Sequence, residues 1–256
     1  RVHVGIGKAI AIAFAEAGAQ VAINFVSDKE EASKTIRQMA HSERHIAIKT
    51  DISIPNNAQQ LVQSVVNEFG QLDILVNNAG IYIPHPVDQC TYEQWQSAWH
   101  KTMQINLFGV ANLCFCAAQQ MMQQGSGRII NISSRGAFRG EPEHTAYGAS
   151  KAGLNQLSQS LAQALAKYNI FVGVVAPGFV ETDMTKDILN GKQGEAIKQQ
   201  SPLGRVAQPE EIAKAVLFLS SEGVDYMTGA ILDVNGASYL RISAIRLNAL
   251  TTKSKK

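Results

Sequence analysis

The chain has 256 residues, 45% of them hydrophobic, and carries 23 Lys and Arg against 21 Asp and Glu for a net charge of +2. That length and apolar fraction suffice for one large domain with a buried core, and the near balance of charge excludes the one-sided basic footprint that nucleic-acid binding needs. Three cysteines, Cys90, Cys114 and Cys116, fit neither a disulfide framework nor a four-ligand zinc site, so a reducing cytoplasm and no metal are expected, and the longest apolar run, Ala9 to Ala15, falls far short of the roughly 20 residues of a membrane span.

Gly5-Ile-Gly7 precedes a helical pattern from Lys8 to Ala17. Strand-like runs then alternate with helical ones: Gln20 to Phe25, His45 to Lys49, Leu72 to Val76, Arg128 to Ile132, Ile170 to Val175 and Ile231 to Val234. Alternation of this kind specifies a parallel sheet with helices on both faces, a doubly wound, three-layer α/β architecture. Ser27 and Glu30 have capping-box spacing ahead of a helix from Glu31 to Ala40, and Pro55 stands near the start of a helix that runs to Phe69. Leu72 to Val76 and Phe171 to Val175 are mostly apolar rather than alternating, which predicts strands covered on both faces. Cys114 and Cys116 lie two apart in a helical pattern, so they point to different sides and read as buried or half-buried thiols rather than a redox pair. No repeat or linker interrupts residues 1–240, which read as a single domain, while residues 241–256 form a tail with a basic end.

The chemistry concentrates in Ser133 to Lys151, which ends in Tyr147-x-x-x-Lys151. Leu154, Leu157, Leu161 and Leu165 follow at helical spacing, so Tyr147 and Lys151 share one face near the start of an amphipathic helix. A phenol with its ordinary pKa of about 10 is a poor acid–base catalyst at neutral pH. A neighbouring ammonium favours phenolate, so Lys151 is expected to lower the Tyr147 pKa into the range where a proton moves either way. Such a pair suits interconversion of an alcohol and a carbonyl. Ser133 and Ser134 both stand where open α/β folds place their ligands, at the carboxyl end of a strand. Asn106 sits in a helical interior where Asn is mildly unfavourable, so it is either exposed or occupied.

With the strand-like Arg128 to Ser134 before this motif, Ile170 to Gly178 after it, and Asn77-Asn-Ala-Gly80 behind Leu-Asp-Ile-Leu-Val, the chain resembles the single-domain short-chain dehydrogenase/reductases, in its details the 3-oxoacyl-[acyl-carrier-protein] reductase and glucose-dehydrogenase-like branch. The resemblance runs from residue 5 to about residue 236 and implies a Rossmann-like fold with Asn106, Ser134, Tyr147 and Lys151 as the catalytic set. The family spacing selects Ser134, as the donor to the substrate carbonyl. Asn106 would hold a water that passes protons toward Lys151, and Lys151 would also bind the nicotinamide ribose. Cofactor contacts are implied at Gly5, Ile6 and Gly7, at Asn78, Ala79 and Gly80, and at Tyr147 itself. Further on they are implied at Pro177, Gly178, Val180 and Thr182, the last two where the nicotinamide carboxamide is held. Asp51-Ile52 resembles the adenine-contacting dipeptide, although Asp51 reads equally well as a turn cap. Glu181 to Leu203 resembles a mobile lid whose helix begins near Thr185, and relatives of this kind are homo-oligomers, tetramers or dimers.

The family's Thr-Gly-x-x-x-Gly-x-Gly turn is matched only at its end, with Arg1 where the first glycine belongs, His3 where a small hydroxyl residue is common, and no strand before it. Losing that strand would open two edges in the sheet and remove much of the pyrophosphate cradle. Two explanations compete, a chain that starts late and a variant that has lost cofactor binding; the first is expected, because the downstream cofactor residues are present. After the first strand-like run, Asn24-Phe25-Val26-Ser27 offers no carboxylate to repel a 2′-phosphate, so NADP(H) is the expected cofactor and NAD the alternative. The expected activity is reduction of a small-molecule carbonyl or oxidation of an alcohol by hydride transfer, away from membrane and nucleic acid. The competing reading is a catalytically silent binding or regulatory protein on the same fold. Tyr82 to Cys90, Phe138 to Thr145 and Thr185 to Leu203 would line the substrate site, and they suit an acyl thioester, a sugar or a steroid-like ketone.

Overall fold

All six strand-like runs become strands, but they lie in two separate parallel sheets. The computed structural model describes residues 5–241. β1 (Ala22–Phe25) pairs with β2 (Ile46–Lys49), while β3 (Ile74–Asn77), β4 (Gly127–Ile132), β5 (Ile170–Pro177) and β6 (Ile231–Val234) lie side by side in that order. Register is set by pairs such as Ala22 with Ile46, Asn77 with Asn131, and Val174 with Ile231. β1 and β3 each keep an edge that no strand among the described residues covers.

Period-two alternation in β5 explains how one strand serves two helical layers. Phe171 and Val175 face α1 (Ile6–Glu16) and α10 (Pro209–Ser220), in a core with Phe14, Ile132, Ile212 and Val216. Ile170 and Val172 face α5 (Val110–Gln124) and α7 (Thr145–Leu165), in a core with Met121, Ile129 and Leu154. Every residue of β5 is buried, as its apolar run predicts. β3 is only half-buried over Ile74 to Val76, contrary to the reading of its apolar run, because its free edge lets water reach side chains that a neighbouring strand would cover.

The sheets are joined through helices. α1 presents Ala9, Ile10 and Phe14 to the larger sheet and Ala11 and Ala15 to Ile23 and Phe25 of β1, so it straddles the division. On the other face α3 (Pro55–Phe69) packs Ala58, Leu61 and Val62 against Leu113 of α5, with Ile48 of β2 and Leu75 of β3 beside them.

Two local readings shift. α2 (Lys29–Gln38) is capped by Asp28, whose carboxylate accepts from the Glu31 N–H at 2.9 Å; Ser27 stands one residue too early to do so. α4 (Tyr92–Met103) and α5 are joined without a break through a π-turn at Gln104–Gly109. This 33-residue run is long and apolar enough in composition to cross a membrane, but its apolar stripe is spent on the cores above, so it is a core helix. Cys114 is buried and Cys116 half-buried, as expected. Of the basic tail only Arg241 is described; it holds Asp233 at 2.7 Å and the Ile231 carbonyl at 2.8 Å, and the rest lies outside the described residues.

Candidate active site

The carboxyl ends of β3, β4 and β5 converge on a cavity of about 230 Å³. Ser134, Tyr147 and Lys151 line it together with Gly5, Ile6 and Gly7 from the head of α1. Asn78 and Gly80 after β3, and Pro177, Gly178, Val180 and Thr182 after β5, complete the same wall. The structure therefore brings most of the sequence-derived set to one place. Ala79 packs beneath it in the core. Asp51 and Ile52 lie off the cavity: the Asp51 carboxylate accepts from the Ser53 amide at 2.9 Å and its hydroxyl at 2.7 Å, and the Ile52 side chain is buried.

Asn106 sits within the π-turn, where the extra residue turns its side chain inward, and it is fully buried. Its carboxamide accepts from the Ile81 N–H at 2.8 Å and donates to the Ile81 carbonyl at 3.0 Å, so it replaces a strand partner for the chain leaving Gly80. It also reaches Ser150 Oγ at 3.3 Å, and Ser150 donates to the Tyr147 carbonyl at 2.8 Å. Asn106 is thus occupied rather than exposed. Gly80 lies between Asn106 and Lys151, about 3.5 Å from each by the position its Cβ would take.

Lys151 is 4% exposed and donates from Nζ to the Ile132 carbonyl at 2.7 Å. Burial without a carboxylate beside it pulls its ammonium down to about 8. The expected lowering of Tyr147 is reversed. Burial pushes its phenol up to about 12; the Ser134 hydrogen bond works against that shift and the Glu141 carboxylate adds to it. The Lys151 ammonium stands 5.7 Å from the ring centroid and is engaged elsewhere, so desolvation outweighs its attraction. Ser134 Oγ accepts from the Gly136 N–H at 3.0 Å, which fixes the hydroxyl at the mouth of β4, while Ser133 is turned inward toward the Lys151 carbonyl.

Contacts that no local pattern announces hold this arrangement. Asn77 donates to Asn131 at 2.8 Å and Asn131 to Ser158 at 2.8 Å, a buried chain from β3 through β4 to the second turn below Lys151 on α7. Asn131 was legible as a lone polar residue between isoleucines. His85, 2% exposed, accepts the Ala146 N–H at Nε2 over 3.1 Å and donates from Nδ1 to the Ile83 carbonyl at 2.8 Å. It caps the start of α7 from 61 residues away, where His144 supplies no side-chain cap. Tyr82 stacks on His144 at 3.5 Å between centroids and meets Tyr147 edge-on at 4.8 Å. Burial, with His85 nearby, takes His144 down to about 4, so that ring is neutral.

The residues present fit the nicotinamide end of a dinucleotide. A Cβ at Gly7 would stand 2.7 Å from Asn78 Nδ2, so glycine there keeps the α1 amides accessible beside the β3 turn, where an anionic pyrophosphate is favoured. Thr182 heads α8 (Asp183–Asn190) in a capping box with Thr185, two residues ahead of the helix start read from the sequence. Val180 is held by a bridge to Ala207.

Comparisons with known proteins bear on the family and the fold. A family model described as Enoyl-(Acyl carrier protein) reductase matches residues 2–237. A 3-oxoacyl-[acyl-carrier-protein] reductase of Staphylococcus aureus is 38% identical over 237 residues, 92% of this chain and 94% of that one. One from Chlamydia trachomatis is 39% identical over 234 residues, 91% and 92% of the two chains. An L-rhamnose 1-dehydrogenase (NAD(P)(+)) of Sphingomonas is 37% identical over 246 residues, 93% of each. Among solved structures, a putative oxidoreductase from Escherichia coli K-12 superposes with a TM-score of 0.79 at 32% identity, covering 92% of this chain and 93% of its own.

Proposed function

The chain belongs to the short-chain dehydrogenase/reductase family and is an oxidoreductase of the NAD(P)(H)-dependent kind that interconverts a carbonyl and an alcohol, and from that premise we propose that it works with NADP(H) through Tyr147, Ser134, Lys151 and Asn106. The observation that carries this reading is the meeting of Ser134, Tyr147 and Lys151 in one cavity with Gly7, Asn78 and Thr182. It also disfavours the silent-binder alternative, since a chain released from catalysis has no reason to keep a desolvated lysine beside a buried phenol.

When bound, reduced nicotinamide supplies a hydride for the carbonyl carbon. Tyr147 supplies the proton to the carbonyl oxygen, and its raised pKa keeps it protonated and ready to donate. Ser134, its hydroxyl fixed by Gly136, donates to the same oxygen and stabilises charge as it develops. Lys151, near the midpoint of its titration at about pH 8, returns a proton toward the phenol and holds the nicotinamide ribose. Asn106 acts by fixing Ile81, and so the Gly80 turn, against the cavity. Gly5 to Gly7 hold the pyrophosphate, and Asp51 and Ile52 the adenine end.

NADP(H) is preferred on the absence of a carboxylate over Asn24 to Ser27; the Asn24 carboxamide itself is turned into the sheet, donating to the Thr50 carbonyl at 2.9 Å. Free cysteines support a reducing, cytoplasmic setting, and exposed Phe108 and Phe115, on the π-turn and α5, suit a homo-oligomer. Titrating the chain with NADPH and NADH by nucleotide fluorescence tests the assignment. Tighter binding of NADPH is expected; equal or tighter NADH binding refutes the reading of Asn24 to Ser27, and no binding of either refutes the oxidoreductase mechanism.

A further inference from the structure

Among the described residues three charged side chains line the catalytic cavity, and two of them are already engaged. Lys151 donates to Ile132. Arg135, 4% exposed, donates through its two terminal nitrogens to Ser238 and Gln200, and its guanidinium lies 5.0 Å over the Phe179 ring. The third is Glu141. None of the ion pairs among the described residues involves it. Its carboxylate is seated against Gly136, where an added Cβ would stand 2.8 Å from Oε1, so the backbone makes room for it. The Tyr82 phenol, stacked on His144 and edge-on to Tyr147, lines the same cavity and is raised well above its ordinary pKa by burial first and then by the Glu141 charge, so it stays protonated.

Resting on the carbonyl–alcohol reading above, we propose that Glu141 is the substrate-selecting residue of this cavity and accepts a hydroxyl next to the reacting carbon, so that the substrate class is a neutral hydroxylated ketone, sugar or polyol. A carboxylate has room for about four hydrogen bonds, enough to take a substrate hydroxyl. An anionic substrate meets Glu141 itself, and a cationic one meets Lys151 and Arg135 across the same cavity. A 3-oxoacyl thioester brings no donor beside its reacting ketone, and would leave the carboxylate desolvated without compensation. Sites built around a substrate hydroxyl discriminate steeply against analogues that lack it.

The test compares erythrulose with 2-butanone, its deoxygenated counterpart, and with the N-acetylcysteamine thioester of acetoacetate, by NADPH consumption. Parent, Glu141→Ala, Glu141→Gln and Tyr82→Phe chains are assayed, with thermal shifts by each ketone as a second readout. The parent is expected to favour erythrulose by about 10²-fold or more in kcat/KM. That ratio should fall at least tenfold in Glu141→Ala, and less in Glu141→Gln, which keeps one acceptor oxygen. Should Glu141→Ala lack a cooperative melt, the near-isosteric Gln variant carries the comparison. NADPH binding with no preference for erythrulose, a preference for the thioester, or a ratio unmoved by both substitutions at Glu141 overturns this inference alone. Failure of the parent to bind NADPH overturns the oxidoreductase mechanism and this inference with it.

Discussion

Replacing Lys151 by Met should stabilise the fold while impairing its chemistry. The lysine is buried and its ammonium falls from 10.5 to about 8 through desolvation. At about 1.4 kcal/mol per tenfold change in a proton equilibrium, holding that charge inside costs the native state roughly 3 kcal/mol at neutral pH. Methionine fills similar space without the charge but cannot donate to the Ile132 carbonyl, and an acceptor stranded there costs about 1–2 kcal/mol. The net gain is on the order of 1–2 kcal/mol, or roughly 2–8 °C in Tm for a chain of this size. Its pH dependence identifies the cause. Because the folded pKa lies below the unfolded one, between about 8 and 10.5 the unfolded chain keeps a proton that the native chain has shed, and parent stability rises with pH across that window. The advantage of the variant should therefore be full below pH 8 and shrink toward pH 10.5. The raised Tyr147 phenol contributes a fall in stability above pH 10, but parent and variant share it and it cancels in the difference. Urea melts of both chains from pH 7 to 10 measure the gap. A variant less stable than the parent at pH 7, or a gap that does not change with pH, would show that desolvation of Lys151 is not what shapes this site. Turnover and NADPH affinity should both fall, since the same ammonium is proposed to return a proton toward Tyr147 and to hold the ribose.

Tyr147→Phe keeps the edge contact with Tyr82 and removes only the hydroxyl, so turnover should drop about 10²- to 10⁴-fold while NADPH fluorescence titration is unchanged; near-normal turnover of any carbonyl the parent reduces would refute the proton-donor role. Asn106→Ala strands the Ile81 N–H and carbonyl and should cost about 2–4 kcal/mol in a denaturant melt, with turnover falling more than NADPH affinity if its role is to fix the Gly80 turn. Fusing an apolar strand and glycine turn ahead of residue 1 should raise Tm and suppress aggregation by covering the edges of β1 and β3 that no strand among the described residues covers; an unchanged cooperative and monodisperse melt would refute that.

What could be read from the residues was local. Each strand is a run of β-branched and aliphatic residues, and α7 announces itself by the leucines at 154, 157, 161 and 165. Tyr147 and Lys151 share a face because helical spacing demands it. The support of the site was not legible, because it is made of contacts between distant segments: His85 reaching Ala146, and Asn131 reaching Ser158. Asn106 could be suspected, but the π-turn that aims it depends on where α4 and α5 pack. The sign of the Tyr147 shift escapes the sequence for the same reason. Charge proximity is visible in a sequence, whereas the desolvation that opposes it depends on everything that closes over the phenol.

The division of the sheet separates two tasks that a dinucleotide would have to rejoin. Ser134, Tyr147 and Lys151 hang from the four-stranded sheet or from α7, which the Asn77–Asn131–Ser158 chain ties to it, and Asn106 reaches them from the π-turn through Ile81 and Ser150. Asp51 and Ile52, at the proposed adenine end, follow β2 in the other sheet. The meeting of Ser134, Tyr147 and Lys151 therefore does not depend on how firmly α1 and the α3–α5 contact join the two sheets, but cofactor affinity does. A ligand that spans both sheets and binds only when they are apposed stabilises that apposition by about 2.7 kcal/mol at a concentration 100 times its Kd. That gain is comparable to the burden Lys151 places on the native state, so the cofactor is as much a part of the fold of this chain as of its chemistry.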